Sequence, residues 1–365
     1  MQLAKTLSAY IARQFLIWFC GVYGTMLSIS FLLDYIELLR RGASRVGVTL
    51  GVLLEMAALK LPHTAQEVMP FAVLFGTMLA FWRLTRSNEL VIARAAGLSV
   101  WQFLTPAVLV ALLVGVFAVT VINPLSATME GTYEQLETRF LKTSGDQMAL
   151  SNSGLWLRQS EPGGGQVVIH GDRLAAPELL LREVTLFYFN RQHQYVSRIE
   201  AKSARLEDGA WIIKDGEQWE TSDQPKPISE LRLPTRFTTS RIEESLASPD
   251  TMSFWSLPDF INLLEQSGFS AQRHRLQFNI LLARPFLFGA MVLVAATFSL
   301  RMQRRGGATL MVIGGVAAGF LLYFISNIVF ALGISAKLPV LLAAWTPTGI
   351  SLIFGASMLL HLEDG

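Results

Sequence analysis

Few residues in this chain are arranged for bond-making chemistry. The histidines (His63, His170, His193, His274 and His361) are scattered, with no HExxH or comparable metal-ligand spacing. No Gly-Lys pair occurs, which removes the phosphate-binding loop GxxxxGK(S/T), and there is no GxSxG nucleophile elbow. Cys20 is the only cysteine, so neither an intramolecular disulfide nor a cysteine-based metal cluster can form. It falls in an apolar segment, where a small buried hydrophobe is expected. No catalytic residue, cofactor or metal is expected, and any work the protein performs must draw its energy from elsewhere.

The residues that could do chemistry are instead charges set in or beside apolar segments, where they are costly. Asp34, Glu37, Arg40 and Arg41 follow one another at the end of the first segment. Glu37 and Arg41 have the helical spacing and order of a favourable pair. They read either as an interfacial ion pair or as part of a basic rim that meets an anionic ligand. Lys60, His63 and Glu67 share one helical face around Pro62 and either line a polar cavity or sit at an interface. Arg284-Pro285 is similarly open. Arg139 and Lys142, just past the third segment, could contact phosphate or simply be solvated.

A second short region stands out between Trp82 and Trp101. Ser87 is placed to cap a helix over Asn88–Ala96 that Gly97 ends, with Glu89 near its positive pole. Such a helix is too short to span a membrane or to be stable alone. Leu90, Val91, Ile92, Ala93, Ala95 and Ala96 need a surface, supplied by the chain's own helix ends or by a partner.

The elements that must position these residues follow from composition. The chain has 365 residues, 52% of them hydrophobic, and a net charge of only +2, which gives a nucleic-acid partner no electrostatic support. Its apolar segments fall in two triplets: about Phe15–Leu38, Val52–Trp82 and Trp101–Ile122, then Phe278–Leu300, Ala308–Leu332 and Leu338–Leu360. Met1–Gln14 has the apolar stripe and basic flanks of a helix lying at the membrane surface, and nothing there reads as a cleavable signal. Pro62 and Pro70 predict a kinked or broken second span. Ser99 and Gln102 form a capping box before the third. Gly314, Gly315, Ala317, Ala318 and Gly319 would let helices approach closely, within the chain or between subunits.

Asn123–Gln277 is polar and reads as mainly β, with strands at Gly154–Arg158, Gln166–His170, Val184–Phe189 and Tyr195–Leu206. Asp208-Gly209 and Asp215-Gly216 flank Trp211–Ile213 as hairpin turn signals. Pro162-Gly163-Gly164-Gly165 reads as a linker. Short strands separated by turns favour a sandwich or open jelly roll over an α/β domain. Leu257, Phe260, Ile261 and Leu264, with Pro258 before and Gly268 after, predict an amphipathic helix. Lys5, Arg13, Arg83, Arg86, Arg94, Arg301, Arg304 and Arg305 collect on one side of the membrane, against Arg40, Arg41, Arg45 and Lys337 on the other. The first side should be cytoplasmic and the polar domain outside. The expected fold is an α-helical membrane protein with six transmembrane helices, 3+3. Residues 1–122 and 278–365 are its membrane blocks, and 123–277 an inserted all-β periplasmic domain, open jelly roll-like.

Arg86-Ser87-Asn88-Glu89-Leu90-Val91-Ile92-Ala93-Arg94-Ala95-Ala96-Gly97 resembles the cytoplasmic coupling helix of the lipopolysaccharide-export permeases, the LptF/LptG family. The resemblance extends over essentially the whole chain. Ser153-Gly154-Leu155-Trp156, the Leu257–Gly268 helix running into Arg275-Leu276-Gln277, Gly333-Ile334 and Leu338-Pro339 resemble the LptG branch more than the LptF branch. It implies the permease subunit of an ABC-type exporter in a Gram-negative inner membrane, not itself an enzyme. Two permeases would enclose a cavity that takes lipopolysaccharide from the inner membrane. A separate ATPase dimer, LptB, would dock on the coupling helices, and the β domain would join LptC and LptA in a periplasmic bridge. By position, the resemblance assigns ATPase coupling to Glu89, Ala93, Arg94 and Gly97. Lipid-phosphate contact falls to Arg40 and Arg41, with Arg139 and Lys142 as further candidates, and Asp34, Lys60 and His63 are candidates for the cavity. Asp34 departs from the family pattern, which has a basic residue there. Two alternatives compete: a lipoprotein-release-type permease, which the 3+3 layout disfavours, and a non-transport scaffold or sensor with a ligand-binding β domain.

Overall fold

A computed structural model describes residues 2–43, 48–95, 97, 99–141, 147–151, 154–160, 165–175, 180–192, 194–207, 209–220, 225–235, 248–266, 270–300 and 307–364. Two compact units emerge. One comprises residues 1–140, Asp250–Leu257 and Gln272–Gly365, and the other Leu141–Pro249 and Pro258–Ala271.

The helical unit holds six helices long and apolar enough to cross a membrane. Helix α1 covers Gln2–Gly42, α2 Leu50–Arg86, α3 Glu89–Ala95, α4 Val100–Phe117 and α5 Asn123–Phe140; α7, α8 and α9 are Gln272–Ser299, Gly307–Ile334 and Val340–Asp364. The segment expected to lie along the membrane surface is helical and continuous with the first span as α1. No proline interrupts residues 2–42, and Ile11 and Phe15 are buried in the same cluster as Met69, Phe81 and Leu84. Of the two forms expected for the second span, kinked or broken, the broken one does not occur, since α2 runs on through Pro62 and Pro70. Ser99 and Gln102 do form the capping box at the start of α4. Cys20 is exposed on α1 rather than buried.

The third span does not stop at Ile122. A π-turn, Ala118–Ile122, joins α4 to α5, and the whole runs to Phe140. The physical cause is Pro124. A proline ring crowds the carbonyl four residues earlier and cannot donate to it. Widening the helix by one residue there keeps it continuous, with the Asn123 N–H bonded to the Ala118 carbonyl. The expected boundary at residue 123 thus moves to about 141, and 250–257 belongs with the helices.

Helices α2 and α7 form the centre of the bundle, with 56% and 61% of their spans buried, against 6% for α1 and 11% for α8. Close approaches fall on glycines. A Cβ at Gly76 would lie 2.7 Å from the Phe19 backbone, and one at Gly115 would overlap Pro285. The small residues of α8 serve packing within the chain, where Gly314 faces Phe298 and Gly315 faces Met78.

The second unit carries seven antiparallel strands: β1 Gln147–Ser151, β2 Gly154–Ser160, β3 Gln166–Ala175, β4 Leu180–Phe189, β5 Tyr195–Glu207, β6 Ala210–Glu220 and β7 Lys226–Pro234. They pair in chain order as one sheet. The sheet curls until Gln159 Nε2 on β2 donates to the Pro234 carbonyl on β7 at 3.1 Å. Leu157, Val167, Leu186, Trp211 and Ile213 are fully enclosed on its inner side. An inserted all-β domain is therefore present, but the described strands form a curled meander without the strand crossovers of a jelly roll.

Asp215-Gly216, expected to be a turn, lies inside β6. Asp215 takes φ 54, while Gly216 still pairs with Ala201 and Ile228. Glu183 on β4 takes φ 53, and the register places Glu183, Lys202 and Asp215 side by side on three neighbouring strands. Along this row the inward-facing residues change parity. Leu181 gives way to Val184 and Leu186, Ile199 and Ala201 to Ala204, and Trp211 and Ile213 to Gly216. Because all three strands shift together, the crease leaves the buried face continuous. Gly209, at φ 75, does sit in the β5–β6 connection. Residues 161–164 and Gly268 lie outside the described residues. The amphipathic helix α6, Leu257–Gln266, forms where expected, with Leu257, Ile261 and Leu264 buried.

Gly115→Val should destabilise the helical unit by about 1–3 kcal/mol through overpacking against Pro285. Gly131→Val, at a site with open space around it, should cost less. Thermal unfolding in detergent, comparing the two variants, checks this order.

Candidate functional site

At one end of the bundle, α2 turns into α3. Ser87 does not cap α3 as its position suggests, because its N–H donates back to the Arg83 carbonyl at 2.9 Å and closes α2. Asn88 takes φ 59, and its carbonyl accepts from Ile92 at 3.1 Å to start α3. The Ser87 hydroxyl lies 2.8 Å from Glu89 Oε1, and the Tyr10 hydroxyl of α1 faces the same carboxylate. Beside them Arg83 donates to Gln14 at 2.9 Å. Polar groups from α1, α2 and α3 thus hold Glu89 in place. Leu90 is 5% exposed and packs into the main core, whereas Ile92 is 67% exposed. The chain's own helices therefore cover one face of α3 and leave the other open. Gly97, at φ 85 with nothing within 4 Å of a Cβ, ends the segment in a conformation that favours glycine. Ala93 is partly exposed, and the side chain of Arg94 lies outside the described residues.

At the opposite end, α1 and α2 are joined by a cross-helix ion pair. Lys60 Nζ lies 2.7 Å from Asp34 Oδ1, and the Thr64 hydroxyl donates to Asp34 Oδ2 at 3.1 Å. Asp34 and Lys60, both cavity candidates, are brought together and neutralise one another. His63 pairs instead with Glu67, at 3.5 Å. Arg40 grips Glu37 with Nε at 2.9 Å and Nη2 at 2.8 Å, and Arg41 joins the same carboxylate at 2.9 Å. Arg41 also reaches Glu137 on α5 at 3.2 Å. Arg139 makes a different contact, its guanidinium 5.4 Å from the centre of the Phe140 ring, and Lys142 lies outside the described residues.

Between the two ends lies a polar knot that the charge pattern alone did not reveal. Gln66, 6% exposed, accepts from Arg284 Nη1 at 2.7 Å and faces the Asn123 amide at 3.5 Å. Asn123 Oδ1 in turn accepts from the Phe254 N–H at 2.7 Å, and the Trp255 indole donates to the Thr120 carbonyl at 3.3 Å. Thr120 is the residue whose helical partner would be Pro124, so Trp255 supplies the missing donor. The Asn123-Pro124 pair inside an apolar run was the available signal, but it reads equally well as the end of a span.

Six long apolar helices with an inserted antiparallel sheet define a multi-pass membrane protein with one β module. The chain belongs to the lipopolysaccharide export system permease LptF/LptG family, which matches residues 9–361. It is 23% identical to the lipopolysaccharide export system permease protein LptG of Haemophilus influenzae over 364 residues, 94% of this chain and 95% of the relative. The LptG protein of Escherichia coli K12 is 22% identical over 375 residues, 99% of each chain.

The two polar sites differ in burial, and that sets their weight. Asn123→Ala should lower stability by about 1–3 kcal/mol, because it removes the buried Asn123 amide and leaves the partly buried Phe254 N–H without its acceptor. Asp34→Asn keeps the shape of a partly buried ion pair whose side chains are 21% and 33% exposed, and should cost about 1 kcal/mol. Denaturation of the purified variants in detergent measures both, and a larger loss for Asp34→Asn would contradict the assignment.

Proposed function

We propose that this chain is a permease subunit of an ABC-type exporter that extracts lipopolysaccharide from the bacterial inner membrane and passes it to a periplasmic bridge. ATP hydrolysis takes place in a separate ATPase dimer of the LptB kind. Membership of the family supports the substrate, and the build of α3 carries the coupling role. A seven-residue helix with Leu90 anchored in the bundle and Ile92 presented outward is a rigid knob fixed to α2. Push on such a knob moves α2, the central helix, rather than a loop. Glu89, held by Ser87 and Tyr10, Ala93, Arg94 and Gly97 form the ATPase contact.

The second permease, of the LptF kind, packs on the sparsely covered faces of α1 and α8, and the β unit lies in the periplasm and meets LptC and LptA. The excess of Lys and Arg on the α3 side supports that orientation. Arg40 and Arg41, 76% and 50% exposed, meet the lipid phosphates. Glu37 and Glu137 already balance their charge, so phosphate binding works by displacing Glu37 from the two guanidinium groups. Asp34 answers Lys60 in the same way and narrows the basic rim to Arg40, Arg41, Arg139 and Lys142.

Glu89→Lys should abolish lipopolysaccharide-stimulated ATP hydrolysis in the reconstituted complex while leaving the purified chain folded. Full stimulation at normal protein levels would sink the coupling role and favour a scaffold or sensor. Glu37→Gln should strengthen lipopolysaccharide binding and the double variant Arg40→Ala/Arg41→Ala weaken it, both read by direct binding in detergent. Binding unchanged in both would move the phosphate site elsewhere.

A further inference from the structure

Between α2, α7, α8 and α9 lie two pockets on either side of Leu322, which lines both. The first, about 140 Å³, sets Arg284, Glu67, Gln66 and Thr348 among mostly apolar neighbours such as Phe71 and Leu287. The second, about 360 Å³, is lined by apolar groups such as Leu74, Met291, Phe298, Ile325, Ile350 and Phe354. Ala317, Ala318 and Gly319 leave this hollow open.

Arg284 is the unusual member. A guanidinium has five N–H donors. The bond from Nη1 to Gln66 occupies one of them, and no carboxylate among the described residues lies within ion-pair distance. Glu67 and Asp250 reach it only through longer-range electrostatics. An ionisable residue in a membrane span calls for a partner. Glu67 lines the same pocket with 67% of its side chain exposed, bonded only to His63 at 3.5 Å. A cation and an anion that line one pocket without pairing, next to an apolar pocket, are complementary to a zwitterion with a hydrocarbon tail.

We propose that the two pockets hold a resident ethanolamine phospholipid, its phosphate on Arg284, its ammonium on Glu67 and one acyl chain along the apolar trough. The phosphate takes the free N–H groups of Arg284 in the forked geometry that guanidinium favours. The ammonium offers three donors to Glu67 and the neighbouring hydroxyls. The tail fills a hollow that opens on hydrocarbon, where an acyl chain is as apolar as the leucines around it. The lipid is a structural component distinct from the exported one, so its presence does not depend on transport.

The test is native mass spectrometry of the full chain extracted in mild detergent, then delipidated and given back dioleoyl phosphatidylethanolamine or dioleoyl phosphatidylglycerol. Wild type should keep one ethanolamine phospholipid per chain and prefer it on add-back. Arg284→Gln should retain at least ten-fold less. Glu67→Gln should shift preference towards phosphatidylglycerol. Ile350→Trp, which fills the trough and leaves both head contacts in place, should also lose the lipid, so the idea stays testable if Arg284→Gln fails to fold. Equal retention by folded Arg284→Gln, preference of the wild type for phosphatidylglycerol, or lipopolysaccharide as the retained species would each overturn the proposal. ATP hydrolysis plays no part in the readout, which separates this outcome from that of the export role.

Discussion

The carbonyl of Thr120 lies four residues before Pro124, which has no N–H to give it, and several elements of the helical unit meet around that point. In a membrane an unsatisfied backbone group costs several kcal/mol, because no water is present to bond it. The π-turn eases the steric clash, and the Trp255 indole fills the vacancy. The same short segment gives its Phe254 N–H to Asn123, while Asn123 faces Gln66 and Gln66 holds Arg284. Helices α2, α4, α5 and α7 and the segment 250–257 therefore meet at a few polar atoms. Stacking of Phe254 on Phe278, with ring centres 5.3 Å apart, closes the junction where the chain re-enters the bundle.

Burial is unequal among the six spans, and the inequality separates mechanical roles. Helices α2 and α7 are the most enclosed and share the close contacts made at Gly76 and at Pro285. Helices α1 and α8 show mostly apolar surface. Leu32, Leu33 and Ile36 on α1 and Phe320, Leu321 and Phe324 on α8 are all more than half exposed. Asp34 and Arg41 of α1 pair to α2 and α5 through Lys60 and Glu137. These pairs tie a sparsely packed helix to its neighbours at one end, while Gln14 and Arg83 tie it at the other.

In the β unit the governing feature is the crease. A regular strand alternates inward and outward residues, so a sheet that bends sharply loses its buried face unless each strand changes phase at the bend. Glu183 and Asp215, both at positive φ, provide that change on either side of Lys202, with charges that alternate across the strands. Asp tolerates this backbone region better than most residues. At Gly216 a Cβ would meet the Glu200 carbonyl at 3.2 Å, which explains the glycine beside the bend.

Hydrophobic length alone determined the six spans and the polar insert, because a bilayer demands long apolar runs whatever surrounds them. Local capping chemistry likewise determined the Ser99–Gln102 box, the end of α3 at Gly97 and helix α6. The family could be read from the 86–97 segment and the order of elements. Tertiary structure decided what local signals leave ambiguous. Asn123-Pro124 and Asp215-Gly216 both carry the marks of a chain reversal, yet one lies within a helix and the other within a strand. In each case partners distant in sequence, Phe254 and Trp255 for the helix and β5 and β7 for the strand, bond polar groups at or beside the irregular point. The charges show the same division. Spacing placed Glu37 with Arg41, but only packing could pair Asp34 with Lys60 and Arg284 with Gln66, because those contacts join helices whose relative rotation is set by the whole bundle.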